Sequence, residues 1–131
     1  MKYLCLVYVE EKTMQAMSNH EWEALNRECL ACGDSLRESG HLLAAEPLQP
    51  VSTATTVRIR AGKVSATDGP FAETKEQLAG FYLLEARDLN EALQCASKIP
   101  PARFGSIEVR PVRDLEMFRL APAPTRESAG G

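Results

Sequence analysis

A chain of 131 residues with 44% hydrophobic and 25% charged side chains has the size and balance of one globular domain built around a single core. Its formal charge of −3 and pI near 5.4 come with lysines and arginines scattered among acids, which leaves no basic stripe for phosphates and excludes direct nucleic-acid binding. The first apolar run ends at Val9, before Glu10-Glu11-Lys12; it is too short to span a membrane and has no small-residue cleavage site, so a cytoplasmic protein without a membrane partner is expected.

Tyr3 to Val9 is aromatic and β-branched, which predicts a strand, and it is apolar at both alternating sets of positions. A sheet with helices on one side leaves its other side open, so such a strand asks for a partner sheet or a ligand there. Ser18-Asn19-His20-Glu21 has the capping-box pattern that starts a helix. Trp22, Leu25, Cys29, Cys32 and Leu36 follow at helical spacing as a stripe to be buried, Glu21, Arg27, Asp34 and Glu38 make the solvated face, and Gly40 suits the end. The four cysteines, Cys5, Cys29, Cys32 and Cys95, all fall in periodic apolar segments. Cys29 and Cys32 have C-x-x-C spacing, but mid-helix and with no second pair they read as reduced core residues rather than as a redox or zinc motif.

His41 to Glu46 predicts a short strand closed by Pro47 and Pro50. Thr55–Arg60 and Val64–Thr67 flank Ala61-Gly62-Lys63 as a hairpin with a three-residue loop, a sheet edge or a cover over the segment that follows. Leu78 to Ala86 is long, apolar on both faces and free of proline, as a central strand would be, with Gly80 marking a close approach. Asp88-Leu89-Asn90-Glu91 repeats the capping-box pattern for a second helix that stops where Ile99 meets Pro100-Pro101, and Ser106–Arg110 alternates as a last strand. The order strand, helix, strand, inserted hairpin, strand, helix, strand predicts a ferredoxin-like α+β sandwich over residues 1–113. Residues 114–131 form an appendage, in which Leu115 and Phe118 can pack and the stretch from Ala121 is disordered by composition.

Between hairpin and central strand lies Asp68-Gly69-Pro70-Phe71-Ala72-Glu73-Thr74-Lys75-Glu76, with four charged side chains around a Gly-Pro corner. Asp68 can hydrogen-bond the backbone two residues on, Gly69 accepts unusual φ/ψ, and Pro70 fixes its own φ, so the corner should be rigid. A rigid charged loop can be a plain turn or can hold acid/base groups in fixed geometry. Asp68 is the candidate catalytic residue, His20 a second candidate, and Pro70, Phe71, Glu73, Lys75 and Glu76 the candidate substrate contacts. His20 lies in the first turn of its helix, where the dipole opposes protonation, and His41 follows a helix-ending glycine.

The nine signature residues resemble, without interruption, the signature of the DGPF family within the YCII-related superfamily, with the resemblance running from Met1 to about Val112. It implies a small α+β domain that pairs as a dimeric α/β barrel, two sheets facing each other. Members of the YCII branch carry a His-Asp pair proposed as catalytic; Asp68 matches its acid, while His20 is the one histidine near the helix that bears the base. The resemblance also implies a link to sigma factors of the extracytoplasmic-function class. No nucleophile-base pair, phosphate loop or metal cluster is visible, so no cofactor is expected. What remains is a homodimer that binds or converts a small molecule near Asp68, with Lys75 or His20 as electrostatic partner, or a non-enzymatic ligand-sensing or regulatory protein.

Overall fold

Alternation in the first strand sets the layering of the computed structural model, which describes residues 1–120. In β1 (Lys2–Val9) Tyr3, Cys5, Val7 and Val9 are buried, while Leu4, Leu6 and Tyr8 between them are half-buried. A short helix α1 (Glu11–Gln15) leads to the long helix α2 (Asn19–Glu38) and strand β2 (Leu42–Pro47). The hairpin β3 (Thr55–Arg60) and β4 (Lys63–Asp68) follows, then β5 (Gln77–Glu85), α3 (Leu89–Ala96), β6 (Ser106–Pro111) and a last short helix α4 (Glu116–Leu120).

The main sheet has the order β2-β5-β1-β6, antiparallel throughout, the arrangement of a ferredoxin-like α+β sandwich; the hairpin forms a separate two-stranded sheet. Opposed residues in antiparallel strands share a face, so the register sorts the side chains. Cys5 opposes Tyr82 and Val109, and Tyr3 opposes Leu84, on the buried face. There Cys5, Val7, Val9, Leu42 and Leu84 pack with Leu36 of α2 and Cys95, Ala96 and Ile99 of the second helical segment. Fully burying one such Leu or Ile side chain contributes about 1.5–3 kcal/mol. On the opposite face Leu4 opposes Leu83 and Leu6 opposes Phe81, flanked by Glu108 and Arg110 of β6. All four of those apolar side chains keep partial solvent access.

Helix α2 begins as its sequence predicts. Ser18 Oγ accepts from the Glu21 backbone N–H at 3.1 Å, and the Glu21 carboxylate accepts from the Ser18 N–H at 3.0 Å. The Ser18 backbone N–H first, and then the Ser18 side chain, hold the Glu21 carboxyl below its ordinary value. The helix closes with Gly40 at φ +81° and the His41 N–H donating to the Leu36 carbonyl at 2.9 Å. In α3 the pattern is only half completed. Asp88 caps the Glu91 N–H at 2.9 Å, but the Glu91 carboxylate turns instead to the Arg87 N–H at 2.9 Å and to His41 Nε2 at 3.3 Å.

Several expectations are corrected. The strand expected from His41 begins at Leu42, because the His41 N–H closes α2 and its ring lies between Ser39 and Glu91. The hairpin loop has two residues, not three: Ala61 (φ +53°) and Gly62 (φ +76°) both take left-handed conformations, the turn whose twist matches the flanking strands, and Lys63 joins β4. Trp22, placed in the buried stripe, is 46% exposed. Leu115 and Phe118 are exposed rather than packed, and the stretch expected to be disordered, 121–131, lies outside the described residues. Helix α1 had no sequence signal. Gly80 does mark a close approach, since a Cβ there would meet the Glu46 carbonyl oxygen at 2.8 Å.

All four cysteines are free; Cys5 and Cys95 are buried and Cys29 and Cys32 half-buried. Burial pushes the Cys5 thiol up to about 11 and raises the other three, so all four are poor nucleophiles.

Glu91 supplies a pH test of the junction between α2 and α3. The Arg87 N–H, the Arg87 charge and His41 hold its carboxyl below the ordinary 4.5 in the folded chain. Its stabilising contribution is therefore complete above that value and lost as pH falls through the lower, folded value. The thermal midpoint of the wild type should fall more steeply than that of Glu91→Gln between roughly pH 5 and pH 3. Parallel curves by circular dichroism would remove Glu91 from the junction.

Candidate functional site

The segment 68–76 joins β4 to β5, and its shape depends on side chains from four other places in the chain. At its start Gly69 turns at φ +104°; its N–H donates to the Ala54 carbonyl and its own carbonyl accepts from Thr56 Oγ1, both at 2.8 Å. Arg58, on the same face of the hairpin as Thr56, donates to the Phe71 carbonyl at 3.2 Å. At its end Thr74 Oγ1 donates to the Glu76 carbonyl at 2.5 Å, and the Glu76 carboxylate accepts from Ser106 Oγ at 2.8 Å.

Gln77, the first residue of β5, fastens the second of these ends. Its amide nitrogen donates to the carbonyls of Thr74 (2.6 Å) and Lys75 (3.3 Å), and its amide oxygen accepts from the Glu11 N–H at 2.9 Å. The Glu11 carboxylate then accepts from the Val51 N–H at 2.9 Å. The half-buried Gln77 amide thus fastens the signature to α1, and the Glu11 carboxylate fastens α1 to the loop after β2. Each such bond contributes about 0.5–1.5 kcal/mol net, but leaving its partners unsatisfied costs more.

The walls enclose a recess of about 720 Å³. Glu10, Glu11, Lys12 and Gln15 form one side, Pro50 to Ser52 another, and Gly69, Pro70, Ala72 to Lys75 and Gln77 the third. Glu10, Glu11 and Glu73 share the lining with Lys12 and Lys75, a mixed set suited to a small polar molecule that both donates and accepts hydrogen bonds.

The sequence candidates separate here. Pro70, Glu73 and Lys75 line the recess. Phe71 is 77% exposed and contributes its carbonyl to the Arg58 contact, not its ring to the wall. Glu76 is engaged by Ser106 instead. Asp68 ends β4 opposite Thr55, exposed, next to the lining residue Gly69. The side-chain bond expected from Asp68 to the backbone two residues on cannot form, because that residue is Pro70, which has no N–H to donate; Gly69 and its two partners make the turn without it. His20 lies exposed in the first turn of α2, and among the described residues it shares no hydrogen bond or ion pair with Asp68. Gln77, Glu11, Thr56 and Arg58 were not singled out by sequence. Gln77 left one trace, a lone amide heading a long apolar strand.

Among the described residues no group of three or more His, Cys, Asp or Glu side chains is placed to hold a metal ion. No described helix is long and apolar enough to cross a membrane.

Sheet order and helical layer define a ferredoxin-like α+β domain with an inserted hairpin. The YCII-related domain matches residues 1–116. The chain is also similar to an uncharacterized protein of Rhizobium meliloti (strain 1021), 42% identical over 127 residues that cover 95% of this chain and all of that one. The chain belongs to the YCII-related family.

Replacing Gln77 tests the fastening. Gln77→Leu should speed amide hydrogen exchange across residues 72–76 and at Glu11 by about ten-fold, equivalent to about 1.4 kcal/mol of local stability, while leaving exchange in the β1–β5 core unchanged. Unchanged exchange in the signature would show that other contacts hold it.

Proposed function

We propose that the protein is a homodimer that binds a small polar molecule in the recess beside Asp68, with Asp68 as the group able to take or give a proton. The observation that carries this reading is the fastening of the signature from Gln77, Thr56, Arg58 and Ser106, which fixes a mixed-charge wall on a rigid scaffold before any ligand arrives. Lys75, which with Lys12 lines the recess, is the signature's own cation for an anionic group of the ligand.

Pairing as a dimeric α/β barrel is supported by the half-exposed apolar centre of the main sheet, Leu4, Leu6, Phe81 and Leu83. The hairpin adds Val57 (63% exposed), Ile59 (62%) and Val64 (70%) on one face of a two-stranded ribbon that makes no ladder with the main sheet. An isolated ribbon of two strands is marginal in water, so a second copy would stabilise both surfaces. Sedimentation should give a dimer at micromolar concentration, from an interface above roughly 1,000 Å². A monomer across that range would refute the barrel.

A non-catalytic version, in which the occupied dimer signals to a regulatory partner such as an extracytoplasmic-function sigma factor, is favoured by one feature. The Asp68 carboxylate has no second side chain hydrogen-bonded to it among the described residues, whereas acid/base groups are commonly oriented by one.

Thermal-shift screening of small zwitterions and carboxylic acids separates these readings. Hits should lose about ten-fold in affinity with Lys75→Ala. If Asp68 moves a proton, Asp68→Asn should keep binding and abolish turnover of the hit, followed by mass spectrometry. Binding that ignores both substitutions removes the recess as the site.

A further inference from the structure

On the helical side of the sheet, α2 and the β2 edge do not close on each other, and a cleft of about 850 Å³ lies between them. Trp22, Leu25 and Cys29 of α2 form one wall, Leu42 and Ala45 of β2 the other, and Tyr82 of the central strand β5 lies in the floor. The volume falls within the range of small-molecule pockets, and the lining is mainly apolar, as such pockets are.

Two features show that this space is not a simple packing fault. The Tyr82 hydroxyl forms no hydrogen bond to the protein among the described residues, where no side-chain polar atom is both sealed from solvent and unpartnered, so the hydroxyl remains accessible to whatever enters. A phenol on an apolar floor that meets no protein acceptor takes its partner from whatever occupies the cleft, solvent or ligand. The second feature is Gly33, in the interior of α2 and in the cleft wall. A Cβ built there meets nothing closer than the Leu42 side chain at 3.9 Å, and its φ is not left-handed. Alanine would fit and would favour the helix, so no backbone or steric demand accounts for glycine. What the missing side chain does is leave the wall open beside Leu42.

The chemistry of the occupant follows from the charges. Arg37 at the rim is paired with Asp34 at 3.8 Å, so no free cation faces the interior from that wall. Burial beside Cys29 and Cys32 raises the Tyr82 phenol well above its ordinary value, which makes it a neutral donor in surroundings that penalise charge.

We propose that this cleft binds a small, uncharged, mainly apolar molecule whose carbonyl-type oxygen accepts a hydrogen bond from the Tyr82 hydroxyl. The site is separate from the signature recess, with which it shares only the rim residues Glu11, Gln15 and Pro50, and it does not depend on the function proposed for that recess.

The sole tryptophan of the chain, Trp22, stands in the wall and reports occupancy. Its emission is titrated with 2-acetylnaphthalene, which carries the acceptor, and with 2-isopropenylnaphthalene, a hydrocarbon of nearly the same shape. Both should quench Trp22 saturably, the ketone about ten-fold more tightly, as expected when one hydrogen bond is made or left unmade. Tyr82→Phe should erase that preference, Gly33→Leu should abolish binding of both compounds with the far-ultraviolet circular dichroism unchanged, and Asp68→Asn should alter neither. If Gly33→Leu does not fold, the Tyr82→Phe comparison decides alone. The proposal is overturned by absence of saturable quenching up to the solubility limit, or by a ketone preference that survives Tyr82→Phe. It is equally overturned if a folded Gly33→Leu protein binds like the wild type, or if apparent affinity falls as protein concentration rises, because a second copy of the chain then fills the cleft.

Discussion

Strands β1 and β5 are apolar on both faces, yet the helical layer packs on only one of them. Much of the architecture follows from that imbalance. A doubly apolar strand is costly at a sheet edge, so β1 and β5 occupy the centre, and the edges fall to β2 and β6, whose open-face positions include Glu46, Glu108 and Arg110. Helices α2 and α3 then cover the face of Cys5, Val7, Leu42 and Leu84, where the volume of Leu36 and Ile99 is fully buried. The other face keeps Leu4, Leu6, Phe81 and Leu83 half-exposed, and it is on this face that a second sheet would find its complement.

The signature loop is organised by a different kind of force. Polar side chains do this: Thr56 and Arg58 of the hairpin and Gln77 at the head of β5 donate to its carbonyls, and Ser106 of β6 donates to its Glu76 carboxylate. Such a loop can be rigid while remaining solvated, the combination a binding wall needs. Gln77 is central because one amide supplies both donor and acceptor at a junction where two segments meet. The same α1–Pro50 corner borders the apolar cleft under α2, so the molecule places a polar recess and an apolar one on either side of a single short helix.

The parts of this organisation legible in the sequence were those set by neighbours along the chain. Ser18 and Glu21 are three residues apart, and the capping box they predict is present because both partners lie within one helical turn. The alternation of Tyr3 to Val9 and the proline-free run from Leu78 identified the two central strands for the same local reason. The glycine at 80 and the turn at Gly69 were visible because only glycine answers those backbone demands without strain. Trp22 went wrong because helical spacing assigns a face to a residue but not the depth of the partner surface, and the β2 edge stops short of it. Glu91 kept the capping pattern in sequence, yet its carboxylate was drawn to Arg87 and to His41, fifty residues away.

By itself, then, the sequence determined the succession of the strands and of helices α2 and α3, most of the face each buries, the starts of those two helices and the Gly-Pro corner, because dihedral preference, capping and hydrophobic period act over a few residues. Tertiary structure alone decided that Gln77 and Glu11 fasten the signature, that Phe71 and Glu76 turn from the recess while Glu73 and Lys75 line it, and that Tyr82 lies in the floor of the cleft between α2 and β2. Those outcomes depend on which polar atoms the folded chain brings within hydrogen-bond reach across separations of tens of residues, and no local propensity encodes that distance.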